Sequence, residues 1–328
     1  MKNKPALARA CKRSNREGVQ ALYSLGCRLG AVLQRSYKNG WGVMGLRIGW
    51  FSTGRDEAAR ELLRIVVEGI ASGELPLEIA FVFCNREEGE DPESDAFIQQ
   101  VRGYRLSLVS FSSARFKPDL RRRGLAGDPG ALERWRTDYH AAASEKLASF
   151  SVNFSFLAGY MLIVSAAMCN RHAMLNLHPA LPGGPKGTWQ EVIWQLIAAR
   201  AGEAGAMIHL VTPALDAGPP VTFCRFSLRT PAMEPLWAEL EEKLQQKSLA
   251  QLQTEEGEEN RLFQEIRRQE FARELPLIWL TLAKLAHGEI RIEDRRVFHG
   301  GEPSSGVDVS RDVDRLLDRF PINQEHEV

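Results

Sequence analysis

The chain has 328 residues, with 42 Lys or Arg balanced by 42 Asp or Glu, so no net field draws it to nucleic acid or to a membrane surface and its ligands must be recognised locally. That length can bury a large core without covalent help. Its five cysteines, Cys11, Cys27, Cys84, Cys169 and Cys224, are odd in number and have no C-x-x-C spacing, which argues against a disulfide framework and a zinc site and fits a reducing cytoplasm.

No apolar run reaches the roughly 18 residues that span a bilayer, so no membrane partner is expected. Residues 1–43 form a basic leader with nine Lys or Arg and the single acid Glu17. A transit peptide has this composition, but a flexible extension, or residues translated ahead of a start at Met44, accounts for it better. No secretory apolar segment ends in a small-residue cleavage site.

Leu46–Phe51 reads as a strand, followed by a turn at Ser52-Thr53-Gly54-Arg55-Asp56-Glu57 and a helix from Ala58 to about Ile70. Asp56 and Glu57 are placed to cap that helix, and Leu62, Leu63, Val66 and Ile70 share one face. A second strand over Ile79–Cys84 is apolar throughout, as a strand covered on both faces should be. A helix near 96–103 and a strand over 107–111 follow. Residues 118–129 read as a solvated loop around Arg121-Arg122-Arg123, and a helix over 130–150 leads to a strand at 154–160. Strands alternating with helices over this length imply a doubly wound, mostly parallel sheet that binds ligands at the carboxyl ends of its strands.

Thr188 caps a further helix reaching about Ala201, and 206–211 and 221–226 form two antiparallel strands. The pattern predicts long, charged, solvent-facing helices over 231–274, an apolar helix end at 275–285 and a hairpin within 288–298. Three segments result: the leader, one domain over 44–300 with a charged helical insertion at about 235–274, and a polar tail over 301–328.

Chemistry concentrates in Leu175-Asn176-Leu177-His178-Pro179, at the end of an apolar run and ahead of a Pro/Gly-dense loop, and in Leu215-Asp216-Ala217-Gly218-Pro219. Buried polar side chains are costly unless satisfied. Local hydrogen bonding alone could employ Asn176 and His178, but an aspartate can also fix a histidine tautomer, and His and Asn can donate to an oxyanion. His209, in an apolar strand, reads first as a core histidine. There is no H-E-x-x-H or other metal spacing and no G-x-S-x-G. The turn at 52–57 lies at a helix N-terminus, where free amides can hold a phosphate; a simple helix start explains it equally well.

Together with Leu157-Ala158-Gly159-Tyr160-Met161, Lys186-Gly187 and Gly205-Ala206-Met207-Ile208-His209, these segments resemble the folate-dependent formyltransferases, most of all the branch acting on phosphoribosylglycinamide. The resemblance implies a formyltransferase fold with an antiparallel C-terminal part. It implies 10-formyltetrahydrofolate as co-substrate and small-molecule substrates, while the charge balance and the histidine spacing point to no nucleic-acid partner and no metal. Asn176, His178 and Asp216 would be catalytic; Met161, Ile163, Val164 and His209 would contact the folate; Gly54, Arg55, Asp56 and Glu270 would face a small phosphorylated amine, glycinamide ribonucleotide in purine biosynthesis. A formyltetrahydrofolate hydrolase, a methionyl-tRNA or amino-sugar formyltransferase, and a non-catalytic binding member of the fold are the alternatives. Departures from the family pattern are Leu162 in place of an arginine, Ala180 after His-Pro, Pro182, and the glycine-poor turn at 53–57.

Overall fold

In the computed structural model, residues 45–320 are described; the basic leader and the start at Met44 lie outside them. Strand β1 (Leu46–Ser52) pairs in parallel on one side with β2 (Leu77–Cys84) and on the other with β4 (Phe154–Leu157), while β3 (Leu108–Ser110) extends the sheet beyond β2. Beyond β4, β5 (Met174–His178) is parallel, and β6 (Glu203–Leu210) and β7 (Pro220–Ser227) are antiparallel neighbours. The resulting order, β3-β2-β1-β4-β5-β6-β7-β11, with β11 at Val307–Asp308, reverses direction between β1 and β4. In open α/β sheets such a switch point opens a crevice at the strands' carboxyl ends.

Helices α1 (Glu57–Ser72), α2 (Pro92–Gly103), α3 (Pro118–Leu125), α4 (Pro129–Leu147), α5 (Ala166–Arg171) and α6 (Trp189–Ala198) fill the connections. Asp56 caps α1 by accepting from the Ala59 N–H, Asp128 caps α4, and Thr188 with Glu191 forms a capping box on α6; such caps satisfy amides that the helix itself cannot. Apolar side chains from α1, β1, β2 and β4 form one core, with Ile48, Trp50, Leu63, Val66, Val82 and Phe156 wholly buried.

Three expectations are corrected. The stretch from Pro118 is not a loop but begins with α3; proline is well suited to the first helical position, and Gly124 lies so close to Leu132 that a Cβ would approach its backbone to 2.7 Å. The charged segment after Pro231 is not solvent-facing throughout. It forms α7 (Glu234–Leu244), α8 (Leu249–Glu255) and α9 (Arg261–Ala286), which bury Trp237, Leu240, Leu252, Phe263 and Ile266 against α6 in a second core. Dense charge on the outer faces masks these apolar positions in the sequence. After the hairpin of β8 (Ile290–Glu293) and β9 (Arg296–His299), with β10 (Glu302–Pro303) paired to β9, the expected tail folds back. There β11 joins β7 in parallel, and α10 (Ser310–Leu316) buries Val313 beside Val309. Two apolar residues four apart are too faint a pattern to mark that helix in the sequence. Among the described residues no helix is long and apolar enough to cross a membrane.

A buried histidine ties α4 to the loop after β4. The Ser165 N–H donates to His140 Nδ1 at 3.1 Å, so the neutral ring carries its proton on Nε2, which faces Tyr160 Oη at 3.2 Å. Burial lowers the His140 pKa to about 4 from 6.5. The unfolded chain therefore binds a proton between pH 6.5 and 4 that the folded chain refuses. The stabilisation is complete above pH 6.5 and is lost as pH falls toward 4, by about 3 kcal/mol. Thermal melts of His140→Gln against wild type should show a smaller loss of Tm between pH 7 and 4.5 in the variant; parallel pH profiles would contradict this assignment.

Candidate active site

The carboxyl ends of β1, β4 and β5 and the loop between β6 and β7 meet at the crevice. Two loops are laced there: the Thr53 N–H donates to the Gly159 carbonyl at 3.1 Å, and the Met161 N–H to Thr53 Oγ1 at 2.9 Å. Strand β5 delivers Asn176 and His178, two residues apart and hence on one face of the sheet. His178 is buried and Asn176 half-buried. Across the antiparallel pair Asn176 lies opposite His209, and the register of β6 against β7 shifts between Ile208 and His209. Irregularities of this kind re-aim side chains near sites.

Asp216 closes the array. Its backbone is in the left-handed region at φ 47°, and its nearly buried carboxylate spans both imidazoles, with Oδ2 3.6 Å from His178 Nδ1 and Oδ1 3.8 Å from His209 Nε2. The loop holds this pose by close backbone contact. The Leu210 N–H donates to the Pro219 carbonyl at 2.9 Å, and a Cβ on Gly218 would lie 1.6 Å from the Leu210 carbonyl oxygen. Only glycine fits there.

The hydrogen bonds assign the ring protons. His209 Nδ1 faces its acceptor, the Leu210 carbonyl, at 3.0 Å, so Nδ1 carries the proton. Its Nε2 then accepts from the Asn176 amide Nδ2 at 3.3 Å, which leaves Asn176 Oδ1 turned the other way. Burial lowers the His209 pKa and favours this neutral form. On His178, Nε2 donates to the Pro185 carbonyl at 2.9 Å while Nδ1 faces Asp216. Pro185 belongs to the Pro/Gly loop after β5. The array thus offers a carboxylate between two imidazoles, an amide oriented by one of them, and a hydrogen bond from the other to the Pro/Gly loop, the components of a proton-transfer and oxyanion site.

The residues expected around this array are only partly brought together. Met161 and Ile163 are exposed on the loop after β4, and Leu215, beside Asp216, is exposed as well; these offer apolar surface suited to a flat aromatic ring. Val164 does not join them. It packs into the core beneath the loop with Tyr160 and Met168. His209 belongs to the polar array itself, opposite Asn176. At the loop after β1, Gly54 has φ 61° and no room for a Cβ against Phe97, while Arg55 and Asp56 pair with each other at 3.2 Å.

Glu270 lies on α9, fully buried, and neither carboxylate oxygen has a hydrogen-bond partner. Burial pushes its pKa well above the usual carboxylate range, with Arg267 opposing and Glu274 reinforcing the shift. Arg267, not singled out by any sequence motif, stands one turn before Glu270. Arg267 Nη1 donates to Glu274 Oε1 at 2.7 Å, and its guanidinium lies over the rings of Trp189 and Phe271. Its i,i+3 spacing to Glu270 is the signal that could have found it.

A Glu270 carboxyl held neutral binds a proton that the unfolded chain releases above pH 4.5, so its contribution to stability falls as pH rises beyond that point. Glu270→Gln, neutral at every pH, should therefore melt progressively higher than wild type as pH increases from 4.5 to 8. A constant or shrinking difference would show that Glu270 is ionised in the folded protein.

The formyl transferase family model matches residues 62–228. Phosphoribosylglycinamide formyltransferase of Schizosaccharomyces pombe is 34% identical over 94 residues, covering 26% of this chain and 45% of that protein; the match thus spans under half of the relative's length. The solved phosphoribosylglycinamide formyltransferase of Coxiella burnetii superposes with a TM-score of 0.55 at 20% identity, over 80% of this chain and 99% of that one. A formyltetrahydrofolate deformylase of Pseudomonas syringae pv. tomato gives 0.52 at 17% identity, over 78% of this chain and 66% of that one. These two likenesses are of fold.

Proposed function

The chain belongs to the formyl transferase family, and from that premise we propose that it moves a formyl group from 10-formyltetrahydrofolate to a small primary amine. One observation carries the reading: Asn176, His178, His209 and Asp216 converge from three segments into one polar array at the sheet's switch point. The folate's flat pterin fits the exposed apolar surface of Met161, Ile163 and Leu215 beside that array.

In this reading the amine nitrogen attacks the formyl carbon, and the carbonyl oxygen becomes an oxyanion that the Asn176 amide and the His178 ring stabilise. Asn176 is already oriented by its bond to His209, and His178 stands with Nδ1 beside Asp216, so both groups lie near their places before the reaction. The amine proton passes through Asp216 and His178 to the folate nitrogen as the carbon–nitrogen bond to the folate breaks. His178 must first exchange its bond to the Pro185 carbonyl for one to the reacting oxygen, which assigns the Pro/Gly loop a small movement on binding.

The names of the relatives point to glycinamide ribonucleotide as the first acceptor to assay. Water is the second, because a formyltetrahydrofolate deformylase shares the fold. Folate product release with each acceptor, and with neither, separates transfer from hydrolysis. His178→Ala and Asp216→Asn should each lower kcat by about 10²- to 10³-fold, the usual loss for an oxyanion donor, with Tm little changed. Near-normal turnover by either purified variant would sink the mechanism. Gly218→Ala, which touches no substrate, should produce a loss of similar size by displacing Asp216; a variant that retains full rate would show that the loop's close approach to Leu210 is dispensable.

A further inference from the structure

A helix N-terminus attracts phosphate because its first amides lack partners. At α1 one such amide, and one amide of the turn before it, are engaged from within the chain. Asp56 Oδ1 accepts from the Ala59 N–H at 2.9 Å, and the Gly54 N–H, in the preceding turn, donates to Ser52 Oγ at 3.1 Å. The turn has little freedom to rearrange, since Gly54 packs against the Phe97 ring. A carboxylate therefore stands at the place and in the hydrogen-bonding role that a phosphate oxygen would take.

The neighbouring cations are already matched. Arg55 Nε is 3.2 Å from Asp56 Oδ2. Arg267 is bonded to Glu274, and against the burial that opposes its charge, Glu274, Glu270 and Asp56 all stabilise it. One turn along α9 from Arg267, Glu270 is wholly buried with both oxygens unpartnered. Near this turn, then, the cation within reach on α9, Arg267, is already matched by carboxyl groups of the chain itself.

We propose that the amine accepted by this site carries no phosphate, being an uncharged or cationic primary amine, and that Asp56 is the specificity-determining residue that turns phosphate monoesters away. The proposal rests on the formyl-transfer reading of the site. Asp56→Asn is the informative variant, because asparagine caps a helix as well as aspartate and removes only the charge.

With the full chain, 10-formyltetrahydrofolate and constant ionic strength, kcat/KM is compared for glycinamide ribonucleotide and for its dephosphorylated nucleoside. Wild type should use the nucleoside at least as well as the nucleotide, and Asp56→Asn should shift the ratio at least tenfold toward the nucleotide. A wild-type preference of tenfold or more for the nucleotide, or a ratio that the substitution does not move, would overturn the proposal. A readout independent of turnover is the melting temperature in inorganic phosphate against chloride of equal ionic strength: no rise is expected for wild type, and a rise in wild type would contradict the role of Asp56. Absence of amine formylation with every acceptor would instead remove the formyl-transfer reading, leaving the phosphate measurement to decide whether this turn receives anions.

Discussion

The site depends on one carboxylate, that of Asp216, held nearly out of water between two buried imidazoles at 3.6 and 3.8 Å. A charge so placed is tolerated only where its partners are fixed in advance, and the surrounding loop does this. The left-handed backbone at Asp216, the Gly218 contact with the Leu210 carbonyl and the Pro219–Leu210 hydrogen bond leave the side chain one direction in which to point. The shifted register at His209 turns the second imidazole toward Asn176. Strand β5, by its alternation, sets Asn176 and His178 on the same face. Remove the loop geometry and the three strands still form, but the polar groups lose their common focus.

Much of this was legible in the sequence because its signals are local. The apolar runs that became β1, β2, β4 and β5 are short and bounded by turn residues, and alternation with helices implied the parallel sheet. Asn176, His178 and Asp216 stood out as polar groups in Pro/Gly-dense loops following apolar strands. The role of His209 was not legible, since a histidine within an apolar strand looks the same whether it fills space or orients a neighbour; the cross-strand register decides, and register is a tertiary property. That Val164 turns into the core while Met161 and Ile163 on the same loop face outward was illegible for a related reason, because sequence places a residue on a loop without saying which way its side chain turns.

The C-terminal third shows a different limit. Helices α7, α8 and the first half of α9 carry so many charges that their composition suggests a solvated appendage, yet their sparse apolar residues meet those of α6 in a second core. Its energetic consequence reaches the crevice. Packing α9 against this core buries Glu270 without a hydrogen-bonding partner and sets Arg267 between Glu274 and the field of Asp56, so a segment distant in sequence brings charge within reach of the loop after β1.

The most direct test of the central claim is the fate of an isotopically labelled formyl group supplied on 10-formyltetrahydrofolate, with products resolved by mass spectrometry in the presence of amine acceptors. The account predicts label on the nitrogen of an amine, formed by wild type and almost absent with His178→Ala. Label found only as free formate, or formyl-amine produced at equal rate by that variant, would contradict it.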